Sequence, residues 1–341
     1  MADQLPGLDL DALGGWLASA LPGFADGELS ARLIAGGRSN LTYAMSDGAR
    51  EWILRRPPLG HVLATAHDMG REHTVMTALH DTAVPVPETY VLCEDAEVIG
   101  APFYLMELAV GTPYRSRREL EGLGADRTRA ISERLVDTLA ALHAVAPADV
   151  GLTDFGRPEG YLARQVARWQ KQLAASHSRD LPAADELHRL LAADVPPESA
   201  AGIVHGDFRL DNVLVDAGDR LTAVLDWEMA TLGDPLTDLA LMLTYHRLAE
   251  LMPGGAVTDA SAAPGFLGER EVLERYAAGS ERDLSRFGFY LGLSAYKLAA
   301  ILEGIHYRYL HGQTVGEGFD RIGEGIHPLL EAGLAALKES Y

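Results

Sequence analysis

One cysteine, Cys93, occurs in 341 residues. A lone thiol cannot close an intramolecular disulfide, so nothing staples the fold and a reducing, cytoplasmic setting is expected. Cations are scarce too: 29 Lys and Arg face 49 Asp and Glu, a formal net charge of −20. Nucleic-acid binding needs clustered Lys and Arg to neutralise phosphates, so no nucleic-acid partner is expected. The same imbalance disfavours an anionic lipid surface. Long apolar runs are missing; the best candidate, Phe287 to Ile305, is interrupted by Lys297 and Glu303 and reads as a buried helix, leaving no membrane partner. The start, Met1-Ala-Asp-Gln, has neither a basic n-region nor an apolar h-region, so no secretory signal is expected.

What is present describes a globular protein, with 48% hydrophobic and 23% charged residues. Its length exceeds a typical single core, which predicts two lobes. Residues 1–25 read as a leading amphipathic helix (Leu10, Leu13, Leu17, Leu21) ended by Pro22-Gly23. Strands are expected at Leu29–Ile34, Thr42–Met45, Trp52–Arg55, Val86–Leu92 and Phe103–Glu107, as a mostly antiparallel sheet, with a helix over His67–His80. Gly111-Thr-Pro113 marks a boundary. Helices then dominate, at Thr128–Val145, Tyr161–Ser176, Ala183–Ala193, 236–251, 269–281 and 284–311, with a small-residue loop at Pro253–Pro264. The expectation is an α+β, bilobal chain: an N-terminal nucleotide-binding lobe over 1–110 and a catalytic, substrate-binding lobe over 111–341, with a nucleotide in the cleft between them.

The chemistry concentrates in His205-Gly206-Asp207, with Asn212 five residues after Asp207 and Val224-Leu225-Asp226-Trp227 beyond. An Asp and an Asn at this spacing, followed by an Asp closing a second apolar run, are the polar parts of a phosphoryl-transfer site. The first Asp accepts a hydroxyl proton; the Asn and the later Asp hold Mg2+ on the phosphates of ATP. Val213–Val215 and Ala223–Leu225 read as strands joined at a turn over Asp216–Asp219. In so acidic a chain the nucleotide site must be made locally positive, by Arg and the metal.

The nucleotide half is expected around Gly36-Gly37-Arg38-Ser39-Asn40, where glycine lets the backbone approach phosphate and Ser39 donates to it, although a Gly-Gly pair reads equally as a simple hairpin turn. Strand alternation puts Ile53 and Arg55 on one face and Trp52, Leu54 and Arg56 on the other. On the following helix Met69, Glu72, Met76 and Leu79 form one stripe, which points Glu72 inward. A buried carboxylate needs a cation, and Arg55 is the best partner, or Arg56 if the register moves by one. Met106-Glu107-Leu108 would be the hinge whose backbone reads the adenine edge.

With these residues in place the chain resembles the aminoglycoside-phosphotransferase and choline-kinase superfamily, which has a protein-kinase-like fold. The likeness is carried by residues 204–215 and 224–239. Within the superfamily it is most similar to the branch of kinase-like domains associated with acyl-CoA dehydrogenases, through Gly36–Tyr43, Trp52–Pro58 and Lys297–Ile305. The resemblance implies ATP-dependent phosphorylation of a small-molecule hydroxyl, and for this branch a hydroxyacyl-CoA or hydroxy acid. It implies Asp207 as catalytic base, Asn212 and Asp226 as magnesium ligands, and Asp238 as the buried acid bracing the catalytic loop, with His205 structural. Glu228 stands where the family often has a second acid.

Eleven residues separate Asp226 from Asp238, and no Ala-Pro-Glu lies among them. A peptide-docking activation segment does not fit, so the acceptor is expected to be a small molecule. Candidate acceptor contacts are Arg209, Glu228, Tyr296, Lys297 and Arg308; Lys297 and Arg308 would meet a CoA phosphate or an acyl carboxylate, or else extend to solvent. Two other readings stay open: an antibiotic-modifying phosphotransferase, and a non-catalytic kinase-like module partnering an acyl-CoA dehydrogenase.

Overall fold

In this computed structural model the described residues are 5–34, 40–59, 68–176, 178–197, 199–252, 258–314, 319–339 and 341. The chain forms two compact units, Met1–Gly111 with Thr222–Ala230, and Thr112–Leu221 with Thr231–Tyr341.

In the first unit α1 (Leu10–Ala20) starts at Asp9, whose carboxylate accepts from the Ala12 N–H at 3.0 Å. Five strands follow, β1 (Ser30–Leu33), β2 (Leu41–Ser46), β3 (Glu51–Arg56), β4 (Thr89–Cys93) and β5 (Phe103–Glu107), with α2 (Met69–Leu79) between β3 and β4. They make one antiparallel sheet in the order β1-β2-β3-β5-β4. β4 begins three residues later than the apolar run suggested, because Pro85 and Pro87 offer no N–H to a ladder.

The sheet obeys its alternation. Trp52 and Leu54 join Tyr43, Met45, Phe103 and Leu105 in a core that also takes Leu13 and Leu17 of α1. Arg56 lies on that same side, buried, and donates to the carbonyls of Ile99 (2.9 Å) and Gly7. That leaves Ile53 and Arg55 on the opposite face. Residues 222–230 belong to this unit by direct bonds: the Val224 N–H donates to Pro85 O at 2.7 Å, and Arg71 Nε to Ala230 O at 2.8 Å.

The second unit contains α3 (Arg117–Glu121), α4 (Ala125–Ala144), α5 (Tyr161–Ser176), α6 (Pro182–Ala193), β6 (Gly202–Val204) and β7 (Val213–Val215). After the turn comes β8 (Leu221–Val224), which runs into the first unit's segment, then β9 (Thr231–Gly233), α7 (Leu236–Leu251), α8 (Glu269–Ala278), α9 (Phe287–Leu310) and α10 (Ile326–Ala336). β6 pairs antiparallel with β9. The expected stripe Ile131, Leu135, Leu139 and Leu142 is buried on α4. Two helices exceed the sequence expectation. α3 is five residues long but closed by a Ser116–Glu119 capping box, and α10 packs where α9 carries Gly288. A Cβ on Gly288 would lie 2.3 Å from Ala336 O, so the two backbones approach as only glycine allows. Among the described residues no helix is long and apolar enough to cross a membrane. The expected Pro253–Pro264 loop falls partly outside the described residues, at 253–257.

Candidate active site

In the second unit β6 delivers the chain to His205-Gly206-Asp207. Gly206 has φ 89°, a left-handed conformation that a side chain would strain. The loop is held from below by Asp238, in the first turn of α7, whose carboxylate accepts from the N–H groups of His205 (2.6 Å) and Gly206 (2.8 Å). His143 Nε2 lies 3.5 Å from the same carboxylate, and His143 Nδ1 is 2.8 Å from the Tyr276 hydroxyl. Burial acts to raise the Asp238 pKa, but His143 and the Gly206 N–H outweigh it and hold the carboxyl below its ordinary value. Burial lowers the pKa of His143. His205 Nδ1 accepts from the Asp207 N–H at 3.2 Å.

The Asp207 carboxylate is oriented rather than buried, with 23% of its side chain exposed. Oδ2 accepts from Arg209 Nε (3.2 Å) and Asn212 Nδ2 (3.0 Å), while Oδ1 faces the Tyr245 hydroxyl at 3.4 Å. Asn212 Nδ2 also donates to Asp207 O at 2.9 Å, which directs its own amide oxygen elsewhere. Arg209 spans Asp207 and Asp211, the latter at 3.1 Å, and stacks 4.6 Å over the Tyr245 ring. Burial raises the Asp211 pKa against the pull of Arg209, consistent with a brace. A carboxylate held in one orientation through both oxygens, yet still partly exposed, can accept a proton from a donor that reaches it.

In the first unit a second polar cluster forms on α2 and β3. Glu72 is 1% exposed and pairs with Arg55 Nε at 2.9 Å. It also accepts from the Tyr104 hydroxyl (2.8 Å) and from Asn40 Nδ2 (3.1 Å). Arg55 reaches on to Asp226, Nη2 to Oδ1 at 2.6 Å. Burial raises the Glu72 pKa, opposed by Arg55 and the Tyr104 hydrogen bond. Burial also works against charge on Arg55, but Glu72 and Asp226 hold it firmly protonated. Asp226 itself adopts φ 66°, unusual for a residue with a side chain, and its carboxylate is 31% exposed. Glu228, in the turn after it, accepts from Asn40 Nδ2 at 3.3 Å. Glu72, Asp226 and Glu228 each offer a carboxylate oxygen, all within 4.8 Å of one another. Oxygen donors of this kind suit a hard cation such as Mg2+.

Of the other expected residues, Gly37 and Ser39, with Gly36 and Arg38, lie outside the described residues. Ile53 is buried beside Arg55's face of β3. Glu107 is exposed and its carboxylate accepts from the Glu88 N–H at 3.3 Å; Leu108 follows it, half-buried. Arg308 is exposed in the last turn of α9, where a cation complements the helix dipole. Tyr296 lines a cavity of about 550 Å3 with Leu173, Arg179, Asp185 and His188, and burial pushes its phenol up to about 12. Lys297 does not extend to solvent: its ammonium donates to Gly206 O at 2.7 Å and sits 5.5 Å from the Trp169 ring centroid.

Tyr104, Tyr245, His143 and Trp169 escaped the sequence reading. For Tyr104 a signal existed, since the antiparallel register sets it opposite Arg55. The other three are placed only by tertiary packing, Tyr245 against Asp207, His143 against Asp238 and Trp169 against Lys297.

Residues 30–287 match the Phosphotransferase enzyme family, and the chain belongs to it. Acyl-CoA dehydrogenase family member 11 of Gallus gallus is 34% identical over 343 residues, covering 97% of this chain and 44% of its own, so the chain spans less than half of that relative. A solved structure from Ralstonia eutropha, provisionally described as an aminoglycoside phosphotransferase, is 33% identical, with a TM-score of 0.84 over 98% of this chain and 99% of that one. A thermostable mutant of aminoglycoside phosphotransferase APH(4)-Ia, solved with AMP-PNP and hygromycin B, shares the fold at 18% identity, TM-score 0.62, over 95% of this chain and 98% of that one.

Proposed function

We propose that this member of the phosphotransferase enzyme family transfers the γ-phosphoryl group of ATP to a hydroxyl of a small molecule, and that the acceptor is a hydroxyacyl-CoA or a related hydroxy acid. The observation that carries the reading is Asp207, ordered by Arg209 and Asn212 through Oδ2 and by Tyr245 through Oδ1, with 23% of its side chain still exposed. Asp207 orients the acceptor hydroxyl and takes its proton as the oxygen attacks in line. Arg55, braced on Glu72, supplies positive charge for the nucleotide phosphates. The motif assigns Asn212 and Asp226 as magnesium ligands, and beside Asp226 Glu228 offers a further oxygen donor. Magnesium bound there would neutralise charge building on the transferred group.

A small-molecule acceptor is supported by the short span between Asp226 and Asp238, eleven residues without an Ala-Pro-Glu, which leaves no room for a peptide-docking segment. The CoA-linked class is supported by the likeness to a protein named for acyl-CoA dehydrogenation. A functional link to such a dehydrogenase, and a cytoplasmic setting suited to the lone buried Cys93, belong to the same proposal. The test is ADP release from ATP with Mg2+ in the presence of hydroxyacyl-CoAs, hydroxy acids and aminoglycosides. Strong turnover with a CoA-linked or free hydroxy acid is expected, and Asp207→Ala should abolish it while ATP still binds. Turnover confined to aminoglycosides would refute the acceptor class; parent-like turnover by Asp207→Ala would refute the base.

A further inference from the structure

Gly206 has no Cβ to restrict it, so the orientation of the peptide that leads into Asp207 must be fixed from outside. Asp238 takes the Gly206 N–H, on one side of that residue. On the other side the Gly206 carbonyl, which shares a peptide plane with the Asp207 N–H, accepts from Lys297 Nζ at 2.7 Å. Lys297 comes from the middle of α9, ninety-one positions later in the chain. A bond from an ammonium is stronger than one between neutral groups, and the face of Trp169 gives the charge a second favourable contact. The cavity that borders Lys297, Gly206, Asp238, Ser294 and Trp169 measures only about 30 Å3, room for a water and not for a CoA phosphate or an acyl carboxylate. This ammonium is therefore spent on the loop.

We propose that Lys297 is a positioning residue for Asp207: by fixing the Gly206 carbonyl it sets the peptide plane from which the Asp207 side chain projects. The inference rests on the reading of Asp207 as the base. Holding that carboxylate in one orientation matters because small misplacements of a catalytic group cost large factors in rate.

The experiment compares Lys297→Met and Lys297→Arg with the parent in two readouts. The first is steady-state ADP release from ATP with Mg2+, water serving as acceptor. Lys297→Met should lower kcat about 100-fold with KM for ATP within about 2-fold, and Lys297→Arg, which can still donate to the carbonyl, should recover to within about 5-fold of the parent. The second is amide hydrogen exchange. The Asp207 amide should exchange at least about 10-fold faster in Lys297→Met, while Ala240 in α7 keeps its parental protection. If Lys297→Met does not fold, Lys297→Gln, a shorter neutral donor, replaces it with the same expectation. Unchanged exchange at Asp207, or a raised KM with kcat intact, overturns the proposal. A parent that releases no ADP with water or with any acceptor of the screen would sink the phosphotransferase reading, while an Asp207 amide that still loosens on substitution would leave the hold of Lys297 on the loop standing.

Discussion

The Arg55–Glu72 pair makes the sharpest energetic test of the first unit. Replacing Glu72 by Met leaves a comparable volume but removes the acceptor of three groups: Arg55 at 2.9 Å, Tyr104 at 2.8 Å and Asn40 at 3.1 Å. Breaking a buried ion pair from one side typically costs about 3–5 kcal/mol. Arg55 keeps Asp226 at 2.6 Å, which trims that figure, while the Tyr104 hydroxyl loses its partner at about 1–3 kcal/mol. The sum is a loss of about 3–5 kcal/mol. Arg55→Met should cost a similar amount, because it strands a carboxylate that is 1% exposed.

The double variant is where the reasoning commits itself. With both charges gone the desolvation penalties vanish together, so Arg55→Met/Glu72→Met should be less destabilised than either single variant, by about 2 kcal/mol or more. Urea titration followed by tryptophan fluorescence reads this unit selectively in a Trp169→Phe background, since Trp16, Trp52 and Trp227 all lie in it. At a slope of about 1–3 kcal/mol per molar, losses of this size move the midpoint by 1 M or more, on the order of ten times the reading error. Losses that simply add, to within about 0.5 kcal/mol, would refute the coupling and with it the view that Glu72 serves to hold Arg55.

Asp226→Ala should weaken magnesium-dependent ATP binding at least about 10-fold in a calorimetric titration, and an affinity unchanged with Mg2+ would remove it from the ligand set. Burial against Phe266 lowers the pKa of His246 to about 4, so the folded chain holds it neutral. Its folded pKa is depressed, so its contribution is complete above the unfolded value near 6.5 and is lost as pH falls from there through about 4, at most about 3 kcal/mol. His246→Gln should accordingly narrow the stability difference between pH 7 and pH 4.5, and an identical difference in parent and variant would count against it. Gly288→Ala places a methyl 2.3 Å from Ala336 O and should lower stability by about 1–3 kcal/mol; a variant with a parental melting temperature would mean that α9 and α10 are not in close contact.

Local pattern carried the sequence reading a long way, and where it stopped has a physical cause. Alternation along β3 separated Arg55 from Arg56, and the stripe on α2 turned Glu72 inward, because both follow from backbone geometry within a few residues. The Asp207–Asn212 bond is equally local. Tyr245 and His143 are different: periodicity says which face of a helix is buried but not what that face meets. α10 was missed although its apolar residues stand in the sequence, since the surface it packs on, the Gly288 face of α9, is set only by tertiary structure.

Lys297 could have been placed from the sequence by length alone. It stands ten residues into a helix of 24, hence about 15 Å from one end and about 20 Å from the other. No lysine stem reaches that far to snorkel past a helix end. Its neighbours one turn away, Leu293, Ser294, Ala300 and Ile301, offer no carboxylate. A mid-helix ammonium among such residues must either point sideways into water or find an acceptor within the fold. On a helix where sixteen of the other twenty-three positions are buried, the second alternative prevails, and the acceptor it finds is the backbone of the loop that carries Asp207.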